Sequence, residues 1–229
     1  MHLKTAVGWL CVFFFLVSIS TVYPAETSSE IFNKIQATFD TITTLRASIL
    51  QANIGLQSQT TTNYSGTIYF QKPDKLRINY TKPAEQQVIY DADYLWIYTP
   101  ELKQITKQNL NSTSIPIPLF IFAGASNIDR DEFRKKHWIK LIKSDTVGTV
   151  TTYRIGIKPK SKAAEFQEIS FWFNRATYLP VKAKIIDPTG IIVSLTFSTI
   201  EQNITLPANI FSLSVPPEVE LVDLTTLNK

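Results

Sequence analysis

Ile31, Ile35, Phe39 and Ile42 recur about one helical turn apart, and from Thr44 the period drops to two, with Leu45, Ala47 and Ile49 alternating with Arg46 and Ser48. The first pattern predicts an amphipathic helix with one apolar stripe, and the second a strand with one face in water. Ser28 or Ser29 is the expected N-cap, and Glu30 sits where the positive end of the helix dipole favours a carboxylate.

Strand signals then follow at short intervals between turn residues. Residues 66–71 read as a strand ended by Lys72-Pro73-Asp74, Leu76, Ile78 and Tyr80 alternate with Arg77 and Asn79, and Thr81-Lys82-Pro83 closes that segment. Residues 88–90 and 95–98 flank the Asp91-Ala92-Asp93 corner as a hairpin. Further strands are predicted over 102–107, 137–142, 150–157, 166–173, 181–186 and 191–197, with helices around 118–123 and 129–133. The result is an antiparallel meander interrupted by at most two helices. Residues 115–124 are its most apolar stretch, and a helix formed there is greasy all round and must be buried on more than one side. A core helix under the sheet and a lid over an apolar ligand both meet that requirement. A sheet curled around such a helix leaves a cavity.

The first 25 residues carry Lys4 as their only Lys or Arg, no acidic residue, and an apolar run over 6–19 that includes Phe13, Phe14 and Phe15. That is the pattern of a secretory signal, cleaved somewhere from residue 20 to residue 25, and the run is short for a membrane span. Residues 26–229 then form a single exported domain. Cys11 is the only cysteine of the chain and His137 the only histidine after the leader. Thiolate metal sites, redox pairs, a cysteine nucleophile and multi-histidine zinc sites therefore have no residues to build them. His137 has no nucleophile in a recognisable setting, Asp129, Asp131 and Glu132 read as a solvated helix start rather than a hydrolytic pair, and no glycine pattern suggests a nucleotide cradle. No cofactor and no metal are expected. The formal charge of +4, one unit of it from Lys4, does not mark a nucleic-acid binder. Lys158, Lys160 and Lys162 form the most basic cluster, read as a lysine-solubilised loop, with anionic head groups or an acidic partner as the functional alternative.

Gly66, Lys72-Pro73, Leu76-Arg77-Ile78-Asn79-Tyr80, Pro83, Asp91, Leu95-Trp96-Ile97-Tyr98, Pro100 and Gln104 occur in an order that resembles the LolA family of periplasmic lipoprotein carriers. The helix over 31–42, the Leu45-Arg46-Ala47-Ser48 strand, the apolar 118–123 segment and the closing Phe211-Ser212-Leu213-Ser214-Val215-Pro216-Pro217 fall where that family has comparable pieces. No single motif is specific, and the ordered set carries the resemblance.

The resemblance implies a mainly β fold with some α: a strongly curved antiparallel sheet, an incomplete β-barrel, covered by helices that enclose an apolar cavity. It implies a monomeric, non-enzymatic carrier in the periplasm that takes acylated lipoproteins from an ATP-driven release complex in the inner membrane to an acceptor at the outer membrane. Acyl-chain contacts are then expected from Leu45, Ala47, Ile49, Leu76, Ile78, Tyr80, Trp96 and Tyr98, with packed core as the other role open to them. Leu119, Phe120, Ile121 and Phe122 correspond to the family's lid, and Lys72 stands where the family commonly has an Arg that latches it. A Lys is a point charge rather than a planar fork, so a different latch is expected. The alternative on the same half-barrel scaffold is an envelope regulator that senses lipids or lipoproteins. Such a regulator pairs the half-barrel with a further domain, which a chain of this length is not expected to accommodate.

Overall fold

The computed structural model describes residues 26–55, 60–91, 93–109, 130–161, 166–213 and 217–225. Its first helix, α1 (Ser28–Thr41), is capped by Thr27 rather than by Ser28 or Ser29. The Thr27 hydroxyl accepts from the Glu30 N–H at 3.2 Å while the Glu30 carboxylate accepts from the Thr27 N–H at 2.6 Å. This reciprocal pair satisfies two amide donors that a helix start leaves without partners, and so fixes the boundary.

The strands are β1 (Thr44–Gly55), β2 (Thr60–Gln71), β3 (Lys75–Lys82), β4 (Gln86–Asp91), β5 (Tyr94–Thr99), β6 (Gln104–Asn109), β7 (His137–Val147), β8 (Val150–Pro159), β9 (Glu168–Asn174), β10 (Pro180–Ile186), β11 (Ile192–Gln202) and β12 (Glu220–Asp223), with α2 (Arg130–Lys136) leading into β7. They form one sheet in the order β12-β6-β5-β4-β3-β2-β1-β11-β10-β9-β8-β7. Two meanders, β1 to β6 and β7 to β11, are joined where β11 returns to pair with β1. Neighbours are antiparallel except β12, which lies parallel to β6. The predicted strand over 102–107 starts later, because Pro100–Leu102 forms a 3-10 turn and Lys103 takes a left-handed φ of 49° before β6 begins. The alternation gave no sign of β12, a four-residue strand after a Pro-rich stretch.

Inner-face side chains from nine strands join Ile31, Ile35 and Phe39 of α1 in one apolar core, from Leu95 on β5 to Ile157 on β8. A helix of 14 residues is only about 20 Å long, whereas strands lie about 4.8 Å apart. The two arms therefore meet around α1 only because the sheet curves. Among the described residues the result is an open curved sheet, mainly β, with few helices, and α1 is the helix packed against its inner face. The expected roof of several helices over a cavity is thus reduced there to α1, whose apolar stripe is buried directly on strand side chains. The predicted helix over 118–123 lies outside the described residues.

Candidate functional site

Strand register sorts the expected binding residues onto two faces. Leu45, Phe70, Leu76, Tyr90 and Leu95 lie in one row across β1 to β5, and Ala47, Ile68, Ile78, Val88 and Ile97 in the next. Ile49 and Tyr80 follow, paired through Gly66. These rows face α1: Leu45, Ala47, Ile49, Leu76, Ile78 and Tyr80 are all buried, at 0–9% exposure, in the core shared with the helix. Trp96 and Tyr98 do not join them. Trp96 pairs with Ile89, in the row of Arg77, and Tyr98 with Gln87, in the row of Asn79, so both project from the outer face. Successive strand residues point to opposite faces, and in β5 it is Leu95 and Ile97 that turn inward.

On that outer face Trp96 donates its indole N–H to the Asp91 carboxylate at 2.9 Å, and Lys107 Nζ lies 4.9 Å from the Trp96 ring centroid. Trp96, Ile89 and Asp91, with Phe211, Ser212 and Leu213, line a cleft of about 290 Å³. Arg77 holds the crossing segment in place by donating to the Ile210 carbonyl at 2.8 Å.

The other arm supplies an apolar row that the sequence pattern did not single out. Ile139, Ile157, Ile169, Ile185 and Val193 pair in succession from β7 to β11, and Val193 pairs with Asn53 on β1. Ile157 and Ile169 are buried, Ile185 and Val193 are half-buried, and Ile139 is 36% exposed. The row is therefore less covered than the one over β1 to β5. At its Asn53 end stands a polar chain: Tyr80 donates to Gln51 Oε1 at 2.7 Å, and Gln51 Nε2 donates to Asn53 Oδ1 at 2.9 Å. Tyr64 closes on Tyr80 with ring centroids 5.6 Å apart. Burial pushes the Tyr80 hydroxyl up to about 12, so it stays a neutral donor at ordinary pH. The chain can orient a polar group at the end of an apolar row, but it offers no general base. Alternation of Ile155 and Ile157 with Arg154 and Gly156 was a legible signal for β8. Which strands it would join was not.

Lys72 is engaged by α1. Its Nζ donates to the Phe39 carbonyl at 2.7 Å and the Asp40 carbonyl at 3.1 Å, at a helix end with no basic residue in its own last turn. The lid residues Leu119, Phe120, Ile121 and Phe122 lie outside the described residues. At the other end of α1, the Glu26 carboxylate accepts from Lys34, Tyr153 and Tyr178, which ties the chain before the helix to β8 and to the turn after β9. His137 stacks on Phe166 with centroids 5.6 Å apart. Among the described residues no cluster of three or more His, Cys, Asp or Glu side chains is placed to hold a metal, and no helix is long and apolar enough to cross a membrane.

The family model described as outer membrane lipoprotein carrier protein LolA matches residues 40–214. The outer-membrane lipoprotein carrier protein of Nitrosospira multiformis is 26% identical over 213 residues, covering 93% of this chain and 96% of that protein. The protein of the same name from Methylibium petroleiphilum is 27% identical over 193 residues, covering 80% and 89%. Among solved structures, an uncharacterized conserved protein from Thermus thermophilus superposes with a TM-score of 0.54 at 10% identity over 86% of this chain and 99% of that one. MucB superposes with a TM-score of 0.51 at 12% identity over 85% and 64%. These two likenesses are of fold alone. With the curved sheet, the α1 packing and the match over 40–214 in agreement, the chain belongs to the LolA family.

Proposed function

We propose that the protein is a periplasmic carrier that shelters the acyl chains of lipoproteins between the inner and outer membranes and hands them on without covalent change. The observation that carries this reading is the apolar row Ile139, Ile157, Ile169, Ile185 and Val193 on the inner face of a curved sheet, partly uncovered along its length. Each CH₂ removed from water gains about 0.8 kcal/mol, so a chain laid along such a row is protected in transit. Delivery requires that the acceptor bind better still, and incomplete burial keeps that difference attainable. In this reading the polar chain from Tyr80 through Gln51 to Asn53 meets the carbonyl end of an acyl group. The apolar residues Leu119 to Phe122 supply the lid, and Lys72, which donates to the Phe39 and Asp40 carbonyls, is the residue proposed to latch it. An ATP-driven release complex and an outer-membrane acceptor are the partners, and the carrier works as a monomer.

The test is recovery of the protein from the cell envelope followed by mass spectrometry of co-purifying acylated material, together with titration by a fluorescent fatty-acid probe. Stoichiometric probe binding displaced by a lipoprotein is expected. Absence of both probe uptake and bound acylated material would sink the proposal.

A further inference from the structure

The outer face of the β7 to β10 arm carries a surface that the carrier reading leaves unused. On it Trp138 of β7 stands opposite Lys158 of β8, and Lys140 opposite Gly156. Further across, Lys184 pairs with Ser170 and Lys182 with Trp172. Trp138 is 67% exposed, and Lys160 Nζ lies 4.6 Å from its ring centroid. Lys140, Lys158 and Lys160 are exposed, and Lys182 and Lys184 are half-buried. Two carboxylates share the face. Glu168 bridges to Arg154 at 3.1 Å and to Lys158 at 3.3 Å, and Asp145 accepts from the Trp172 indole at 2.9 Å. Five lysines and Arg154 against these two acids leave the face net positive.

The kind of cation distinguishes the partner. Arg154, the arginine of the group, is committed to Glu168 and Ser170 and lies 5.0 Å from the Trp172 ring centroid. The remaining charges are lysine ammonium groups, of which Lys158 bridges to Glu168 and Lys160 donates to the Arg134 carbonyl at 3.1 Å, while Lys140 and Lys184 carry theirs on flexible stems. Protein interfaces are enriched in arginine and depleted of lysine, whereas mobile point charges suit a diffuse anionic surface. An exposed tryptophan among lysines is a residue that settles at the boundary between lipid head groups and acyl chains. At the same end of the arm Ile186 pairs with Ile192 in the register of this face, and both are half-buried, which adds apolar contact beside the charges. We propose that this face, built from Trp138, Lys140, Lys158, Lys160, Lys182 and Lys184, docks the protein on an anionic phospholipid surface. It lies on the opposite side of the sheet from the apolar row, so docking and acyl-chain shelter are separable.

The test uses the protein in the form that cells accumulate, with vesicles of phosphatidylethanolamine with or without phosphatidylglycerol, and no lipoprotein present. Binding to the anionic vesicles, weakened by added salt and accompanied by a blue shift of tryptophan emission, is the expected result. The double change Lys140→Glu and Lys184→Glu should weaken that binding on the order of tenfold or more. Trp138→Ser should remove most of the blue shift, with the far-ultraviolet circular dichroism unchanged. Lys140→Gln with Lys184→Gln replaces the charge reversal if that impairs folding, with a smaller loss expected. Equal binding to both vesicle types, or anionic binding unaltered in every variant, overturns the proposal. Salt-sensitive retention on an immobilised acidic protein without vesicle binding overturns it in favour of a protein partner. None of these failures touches acyl-probe uptake, which is measured separately and reports on the carrier reading.

Discussion

Two side chains outside α1 complete what the helix leaves undone at its ends. Lys72 brings a positive charge to the carbonyls of Phe39 and Asp40, where the dipole is negative and α1 has no basic residue of its own. Replacing it with Met should lower stability by about 1 kcal/mol, read as a lower denaturant midpoint at unchanged slope. An unchanged midpoint would remove the capping role. At the other end, hydrogen bonds from Lys34 and then Tyr153 hold the Glu26 carboxyl at about 2, below its ordinary 4.5. A depressed carboxylate stabilises the fold fully above about 4.5 and loses that contribution as pH falls from there through about 2. Thermal stability should therefore decline over that window, and Glu26→Gln should flatten the decline while lowering stability near neutral pH. If the variant and the parent lose stability in parallel on acidification, Glu26 is not the group responsible.

At the scale of the elements, pairing between β2 and β3 depends on one missing side chain. A Cβ at Gly66 would stand 2.2 Å from the Asn79 carbonyl oxygen and 2.9 Å from Tyr80 Cα, both backbone atoms that cannot swing away. The register shifts at this point, between Ser65 and Gly66. Gly66→Ala should cost about 3 kcal/mol, measured by chemical unfolding. Gly156 is the internal control, because its Cβ would meet nothing closer than 4.0 Å and Gly156→Ala should change stability little. Similar losses at both positions would mean that strand propensity, and not the close approach, decides. Gly66 was part of the family pattern in the sequence, but the reason for it appears only when Asn79 is brought across the ladder. The β4–β5 hairpin, in contrast, was readable directly, since Asp91 accepts the Tyr94 N–H at 3.0 Å in the turn that its sequence announced.

For the whole molecule, the inner face is divided into a tightly packed half and a less covered half. Leu76 is fully buried beneath the shared core, while Ile185 is half-buried on the other arm. A carboxylate at Leu76 would lie in an apolar core with no partner built for it. Leu76→Glu should therefore fail to fold, with lost circular dichroism and lost soluble yield. Ile185→Glu should leave the fold in place but weaken fatty-acid probe binding on the order of tenfold, as expected if two or so methylene contacts are lost. Normal probe binding by a folded Ile185→Glu protein would move the acyl site away from this row.

Periodicity by itself determined an amphipathic helix with the stripe Ile31, Ile35 and Phe39, though the helix ends at Thr41 and Ile42 is already extended, and determined that strands of alternating pattern follow it; composition determined that cysteine and histidine are scarce. Those are local or compositional properties, carried by neighbours in the chain. It could not choose the phase of Leu95-Trp96-Ile97-Tyr98, because that strand is apolar on both faces and alternation has no preferred side there. Only the ladder of β4 and β5 turned Leu95 and Ile97 inward and sent Trp96 and Tyr98 to the outer face. The apolar row from Ile139 to Val193 was hidden for another reason, being assembled from five strands. The return of β11 to pair with β1 joins residues far apart in the chain, and such pairing is set by the burial of side chains from many strands together with α1 rather than by any segment alone.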